Sequence, residues 1–230
     1  MTRHEIFHRG MIIRRAVRLS LLVSVLLVSS VAQGHPHGWI DLSVKVISDK
    51  QGRVTALEQR WRMDPFYSLV VMEELGQVEG ASMEQGLAEL GREIRDNLAP
   101  MGYFTEIQRD GNAVDTGDVS EYTTRIGDGR LIFMFRLPLA EPQPLEGSQL
   151  SYQVFDPTYY LEVVHEADTQ QRINDNALTL QQPMPGCAVS VTPADPDPEM
   201  VMRAAMLDVD EQGEPGLGRY FAETGLMDCR

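Results

Sequence analysis

Two histidines, His35 and His37, lie two residues apart in a chain of 230 residues. A neutral imidazole nitrogen is a common ligand of zinc, copper and nickel. Because residues two apart on an extended chain face the same side, both rings can approach one ion. A well-held metal needs further ligands, for which the sequence offers His165 first and Asp156 second. We therefore predict a metal site made from these four residues.

The residues in front of this pair are typical of a secretory signal peptide. Residues 1–34 contain five arginines, and an apolar run of 14 residues extends from Leu19 to Ala32. A membrane-spanning helix needs about 20 apolar residues, so we expect cleavage near Gly34 and no lasting membrane anchor. An uncleaved anchor is the alternative. Cleavage would place the protein in the periplasm and give His35 a free amine, which adds a nitrogen ligand.

The proline between the two histidines affects which metal is expected. Square-planar chelation of Cu(II) or Ni(II) behind a free amine uses deprotonated backbone amides, and Pro36 has no N–H to lose. Because this square-planar chelation is excluded, tetrahedral coordination and hence zinc are favoured, and nickel, cobalt and copper are the alternative metals. In one alternative, the amine and ring of His35 bind copper together with His165, which would indicate a copper-dependent oxidative enzyme. In another, the histidines are incidental and the chain is a structural or interaction domain.

Several other residues have both a metal-related and a structural interpretation. Asp41 is on the same side of the predicted first strand as His37, so it is a further candidate ligand. Asp64 and Asp156 each precede a proline, and a turn or a helix cap explains both. A second interpretation is that they orient a metal-binding histidine through a hydrogen bond. His165 lies two and four residues after Val163 and Leu161, so it faces the same side of the predicted strand as these apolar side chains. A buried, hydrogen-bonded core histidine is therefore an alternative to a ligand.

Charge and cysteine content limit the function classes. The chain has a formal net charge of −14, which becomes −18 without residues 1–34, because these carry five arginines and one glutamate. A surface of this sign repels phosphate backbones and attracts cations, so nucleic acid is not an expected partner. An even pair of cysteines in an exported protein favours a disulfide between Cys187 and Cys229. A thiolate metal site is the alternative, and the wide spacing of the pair argues against it.

The hydrophobic periodicity predicts an α+β fold, in which an antiparallel, β-rich domain carries inserted helices. Alternating apolar residues from Ile40 to Val46 predict a first strand, and residues 55–63 complete a hairpin with it. The proline-rich residues 141–144 are predicted to connect an N-terminal sub-domain, 35–140, to a C-terminal one, 145–230. The disulfide would close the second of these.

Capping signals predict where the helices begin and end. Asp64 followed by proline predicts the start of a helix that ends at Gly76. Ser82 and Gln85 form the pattern of a capping box for a second helix. Further strands are predicted at 104–108, 121–126, 131–137, 150–154, 161–165, 177–180 and 188–191, and further helical segments at 199–207 and 217–224.

Two stretches together resemble a known protein family. They are HPHGWID at 35–41 and FDPTYY at 155–160, and Cys229 lies near the end of the chain. In these residues the chain resembles bacterial periplasmic proteins of the domain of unknown function 1007 family, over the whole segment after residue 34. The resemblance implies a periplasmic component of a transition-metal transport system, of ABC type or beside nickel/cobalt-type permeases, with zinc as the proposed metal. The HPH and DPTYY positions are its candidate binding residues.

These observations together predict a non-catalytic periplasmic protein that binds a divalent transition metal, zinc first. Its expected partner is an inner-membrane metal permease, with which it would exchange the metal. His35 and His37 are the expected ligands, and His165 and Asp156 are the expected third and fourth.

Overall fold

The computed structural model of the chain describes residues 36–208 and 211–230. The predicted signal segment, its cleavage position and His35 lie outside these residues. The helices are α1 (Pro65–Gln77), α2 (Met83–Leu98) and α3 (Pro198–Ala205), with 3₁₀ segments at Ala99–Phe104 and Leu217–Phe221. The strands are β1 (Gly38–Ser48), β2 (Arg53–Met63), β3 (Thr105–Arg109), β4 (Asn112–Ala113), β5 (Glu121–Gly127), β6 (Arg130–Pro144), β7 (Gln149–Val154), β8 (Leu161–His165), β9 (Leu178–Leu180), β10 (Ala188–Thr192) and β11 (Thr224–Asp228). Among the described residues, no helix is long and apolar enough to cross a membrane.

The strands form two sheets, which confirms the predicted α+β class. The first sheet has the order β5-β6-β2-β1-β8, and β9 also pairs with β1. The second sheet has the order β10-β11-β7-β3-β4. Most pairs are antiparallel, but β8 and β9 run parallel to β1. The first strand therefore lies inside its sheet, with neighbours from the middle of the chain.

The alternation in β1 has the predicted effect on burial. Ile40, Leu42, Val44 and Val46 are each 1–2% exposed and belong to the main core, while Trp39 and Asp41 face away from it. The predicted hairpin is also confirmed, because Ile40 pairs with Met63 across β1 and β2. A strand with this pattern has one buried face, which fixes its register. The residues just before β1 are thereby anchored to the edge of the core.

Local capping chemistry positions the first two helices as predicted. The Asp64 side chain accepts hydrogen bonds from the backbone of Phe66 and Tyr67, so it caps α1. Ser82 and Gln85 form the complete capping box of α2. One boundary was predicted wrongly: α1 continues through Gly76 to Gln77. The helix ends there because the next residue, Val78, has extended backbone.

The C-terminal part differs from the prediction in two elements. Residues 141–144, predicted as a connector, are the last part of the 15-residue strand β6, and each sheet contains strands from both sides of this point. Residues 217–224 were predicted to be helical, but only a short 3₁₀ segment forms there. The chain then enters β11, which pairs with both β10 and β7 and gains hydrogen bonds on both sides. The predicted disulfide between Cys187 and Cys229 is confirmed.

Candidate functional site

His37 is the first histidine that the structure describes, and it lies directly before β1. Its backbone N–H donates a hydrogen bond to the carbonyl of Tyr160 at 3.0 Å. Its ring stacks on the ring of Tyr160, with 4.4 Å between the centroids, and the residue is exposed. The chain start is therefore held against the loop that precedes β8, with the imidazole at the surface.

Asp64 is a carboxylate that the structure ties to this chain start. It is 7% exposed, and its backbone N–H donates to the carbonyl of Trp39 at 3.0 Å. Oδ1 accepts the two capping bonds of α1, both at 2.9 Å. Oδ2 has no hydrogen-bond donor among the described residues, and it lies 2.7 Å from the place that a Cβ on Gly38 would occupy. One oxygen of this carboxylate therefore has no donor among the described residues and lies next to the residue that follows His37.

A cavity of about 590 Å³ opens beside these residues. His37 and Asp64 both line it, and its walls include the aromatic side chains of Trp39, Tyr67 and Tyr160. Burial raises the pKa of Tyr67, and the nearby Glu74 and Asp64 add to the shift. No lysine or arginine is among the residues that line the cavity. The site is therefore an apolar, aromatic recess with one imidazole and one carboxylate on its wall.

His165 is placed in the core, away from the chain start. It is 2% exposed; its Nδ1 lies 2.8 Å from Glu223 Oε2, and its Nε2 lies 2.8 Å from the Tyr152 hydroxyl. In the neutral tautomer that donates from Nδ1, the glutamate accepts and the tyrosine donates, so both ring nitrogens are engaged. His165 pairs with Leu42 of β1. Four residues of strand separate that point from Gly38, or about 13 Å.

The structure gives the predicted third and fourth ligands structural bonds. Asp156 is 7% exposed; its Oδ1 accepts hydrogen bonds from the backbone and hydroxyl of Thr158, and its Oδ2 accepts from the backbone of Leu161. These bonds confirm the turn interpretation of Asp156. The turn places the ring of Tyr160 against the ring of His37. A metal that used His165 or Asp156, including the alternative copper site, would have to replace these bonds.

Asp41 also has partners of its own. Its Oδ2 accepts from Arg130 at 2.5 Å and from Arg62 at 3.1 Å on the outer face of the first sheet. Within residues 36–208 and 211–230, no three His, Cys, Asp or Glu side chains are grouped as a metal site would require. The described part of the chain therefore supplies two potential ligands at the chain start, His37 and Asp64.

Sequence reasoning missed the partners of His165. Tyr152 lies 13 residues before the histidine and Glu223 lies 58 residues after it, so no local pattern connects them. Glu162 lies near the same glutamate, and burial together with the charge of Glu223 raises its pKa. Burial also raises the pKa of the Tyr152 hydroxyl well above its usual value. This cluster joins the two sheets through a hydrogen-bonded core histidine, which the parity of residue 165 did indicate.

Two comparisons with other proteins bear on identity. The model of the family described as "Protein of unknown function (DUF1007)" matches residues 20–229. A protein of Haemophilus influenzae, described as an uncharacterized protein, is 25% identical over 213 residues, which cover 91% of this chain and 98% of the relative. The family match extends from before β1 to the end of β11.

Proposed function

The chain belongs to the family of proteins of unknown function described as DUF1007, and from this premise and the geometry of the chain start we propose that it binds a divalent transition metal, with zinc as the first choice. His35 and His37 supply imidazole nitrogens, and Asp64 Oδ2 supplies a carboxylate oxygen. The observation that carries the proposal is the position of Asp64, whose Oδ2 accepts no hydrogen bond from the described residues and whose side chain lines the same cavity as His37.

The donor set fits zinc chemically. Two imidazoles and one carboxylate are the ligand types of many zinc sites, and a further position can be filled by the amine of a cleaved chain or by a partner's side chain. His165 and Asp156 are left out of the proposed set, because all of their side-chain acceptor and donor atoms already serve internal bonds. When bound, the metal would act as cargo to be passed on, and no catalytic step is proposed for it.

The proposed setting is the periplasm, after removal of a signal peptide near Gly34. The basic and apolar stretches within residues 1–34 support export, and the net charge of −18 on the remaining chain supports a role in attracting cations. The proposed partner is an inner-membrane metal permease. This association is supported by the resemblance of the HPH and DPTYY stretches to proteins of metal transport systems.

The test is a calorimetric titration of the exported protein with zinc. We expect His37→Ala to lower the affinity by about tenfold or more, because a lost ligand typically removes this much binding energy. Asp64→Asn keeps an oxygen for the helix cap while removing the carboxylate, and it should also weaken binding. Glu141→Gln, at an exposed position far along the chain, is the matched control for charge. Unchanged affinity in both site variants would refute the proposal.

A further inference from the structure

The first two turns of α1 expose apolar side chains. Four of these form what we call the α1 face: Phe66 at 76% exposure, Tyr67 at 42%, Leu69 at 58% and Val70 at 37%. Residues 65–72 contain no charged side chain. A surface helix normally directs its apolar stripe inward and polar residues outward, and this one has apolar residues on both sides. A contiguous exposed patch of this kind marks an interaction site.

The exposure of the α1 face is built into the fold. The Asp64 cap fixes the start of the helix, and the Ser68 hydroxyl lies 2.7 Å from the Asp64 carbonyl, to which it donates. The Ser68 hydroxyl oxygen in turn accepts a hydrogen bond from the backbone N–H of Leu131 in β6 at 3.0 Å. Only Ser68 and Val71 of the helix are buried. The helix therefore packs on the rest of the protein through Ser68 and Val71, and this orientation directs Phe66 and Leu69 outward.

Acidic residues of α1 and α2 lie beside the α1 face. The aromatic cavity described above shares Tyr67 and Val70 with a second recess of about 800 Å³ between α1 and α2. That recess is lined by Glu74, Glu89 and Glu93, and neither recess has a lysine or arginine in its lining. Glu89 is paired with Arg92. Among the described residues, no ion pair includes Glu74 or Glu93, and the charge of Glu93 acts on the nearby Arg92 without a direct contact.

We propose that the α1 face and this acidic recess form a docking site for a cationic amphipathic segment of another protein. The apolar side of such a helix would cover Phe66 and Leu69, and its lysines or arginines would reach Glu74 and Glu93. Charge complementarity selects this occupant, because a second copy of a chain with net charge −14 and an anionic lipid surface would both be repelled. The argument for docking uses no metal, although Phe66, Tyr67 and Val70 of the α1 face also line the aromatic cavity.

The experiment measures binding of a fluorescent peptide of leucine and lysine, about 18 residues or five helical turns long, to the purified protein. We expect Phe66→Ser/Leu69→Ser to weaken binding by about tenfold or more, because truncated apolar anchors dominate such interfaces. Met206→Ser, at another exposed apolar residue, should leave binding unchanged. Glu74→Gln/Glu93→Gln should weaken binding more than Glu141→Gln/Glu146→Gln, which removes the same charge elsewhere. Thermal unfolding of every variant confirms that it is folded.

Several results would overturn the proposal. The first is equal binding of the peptide to the wild type and to the Phe66/Leu69 variant, which would indicate attraction by net charge alone. The second is no binding to the wild type. The third is a different occupant: self-association that the Phe66/Leu69 variant abolishes would assign the surface to a second copy, and sedimentation with neutral phosphatidylcholine vesicles would assign it to lipid.

Discussion

Gly38 and Asp64 approach each other so closely that a Cβ on Gly38 would lie 2.7 Å from Asp64 Oδ2. The contact joins the start of β1 to the cap of α1, and it keeps the carboxylate beside the histidine that precedes the glycine. Because the carboxylate also caps the helix through Oδ1, it has little freedom to move aside. One glycine therefore preserves both the proposed ligand position and the start of the helix.

The first prediction concerns this glycine. Gly38→Ala should lower the free energy of unfolding by about 1 kcal/mol, the usual loss when a helix cap is disturbed, and should also weaken zinc binding. Urea unfolding and zinc titration measure the two effects. Gly76→Ala is the matched control, because nothing lies within 4 Å of its added methyl group. That control should be neutral or stabilising, since alanine is the better helix former. Equal behaviour of the two variants would argue against the close contact.

The second prediction concerns the bond that fastens α1 to the sheet. Ser68→Ala removes the hydroxyl that accepts from the Leu131 backbone, and it leaves a buried N–H without that partner. The expected cost is about 1–3 kcal/mol of unfolding free energy, as for other buried donors that lose their acceptor. Ser190→Ala, at an exposed serine of β10, is the control and should change stability by no more than about 0.5 kcal/mol. A loss of equal size in both would contradict the assigned role of Ser68.

The third prediction uses the pH dependence of Glu162. Burial, and then the charge of Glu223, raise the pKa of Glu162 in the folded protein. The folded state then favours the protonated carboxyl, so this residue's contribution to stability is greatest below the unfolded pKa and falls as the pH rises through the folded pKa. Glu162→Gln should therefore be more stable than the wild type at pH 8. The difference should shrink towards pH 4, and urea unfolding at the two pH values measures it. A gain that is larger at pH 4 would contradict the sign.

The fourth prediction separates the core histidine from the proposed metal site. Tyr152→Phe removes the hydroxyl that bonds His165 Nε2, and the loss of a buried partner should cost about 1–3 kcal/mol of unfolding free energy. Zinc affinity should stay unchanged, because the proposed ligands lie at the chain start. Tyr220→Phe, at a half-exposed tyrosine, is the control for the substitution. Reduced zinc affinity in a folded Tyr152→Phe protein would instead place the metal at His165.

Features that depend on neighbours in sequence could be predicted. The alternation of β1, the cap at Asp64, the capping box at Ser82 and the turn at Asp156 each follow from a few adjacent residues. The disulfide followed from the presence of a single cysteine pair. The strand β11 was missed because its five residues carry a weak pattern and are held by strands on both sides.

The candidate site was harder to predict, because it depends on contacts between distant residues. The close approach of Gly38 to Asp64 joins positions 26 residues apart, and no local sequence pattern predicts this contact. The bonds of His165 to Tyr152 and Glu223 likewise arise only when the two sheets come together. The prediction grouped the histidines as ligands because of their residue type. In the structure, packing places His165 in the core and His37 at the surface.

The most direct test of the account is anomalous diffraction at the zinc edge from crystals of the exported protein grown with zinc. We expect an anomalous peak within coordination distance of the His37 ring and of Asp64 Oδ2, and the loss of that peak in crystals of His37→Ala. A peak at His165 or Asp156, or no peak at the chain start in zinc-containing crystals, would contradict the proposed site.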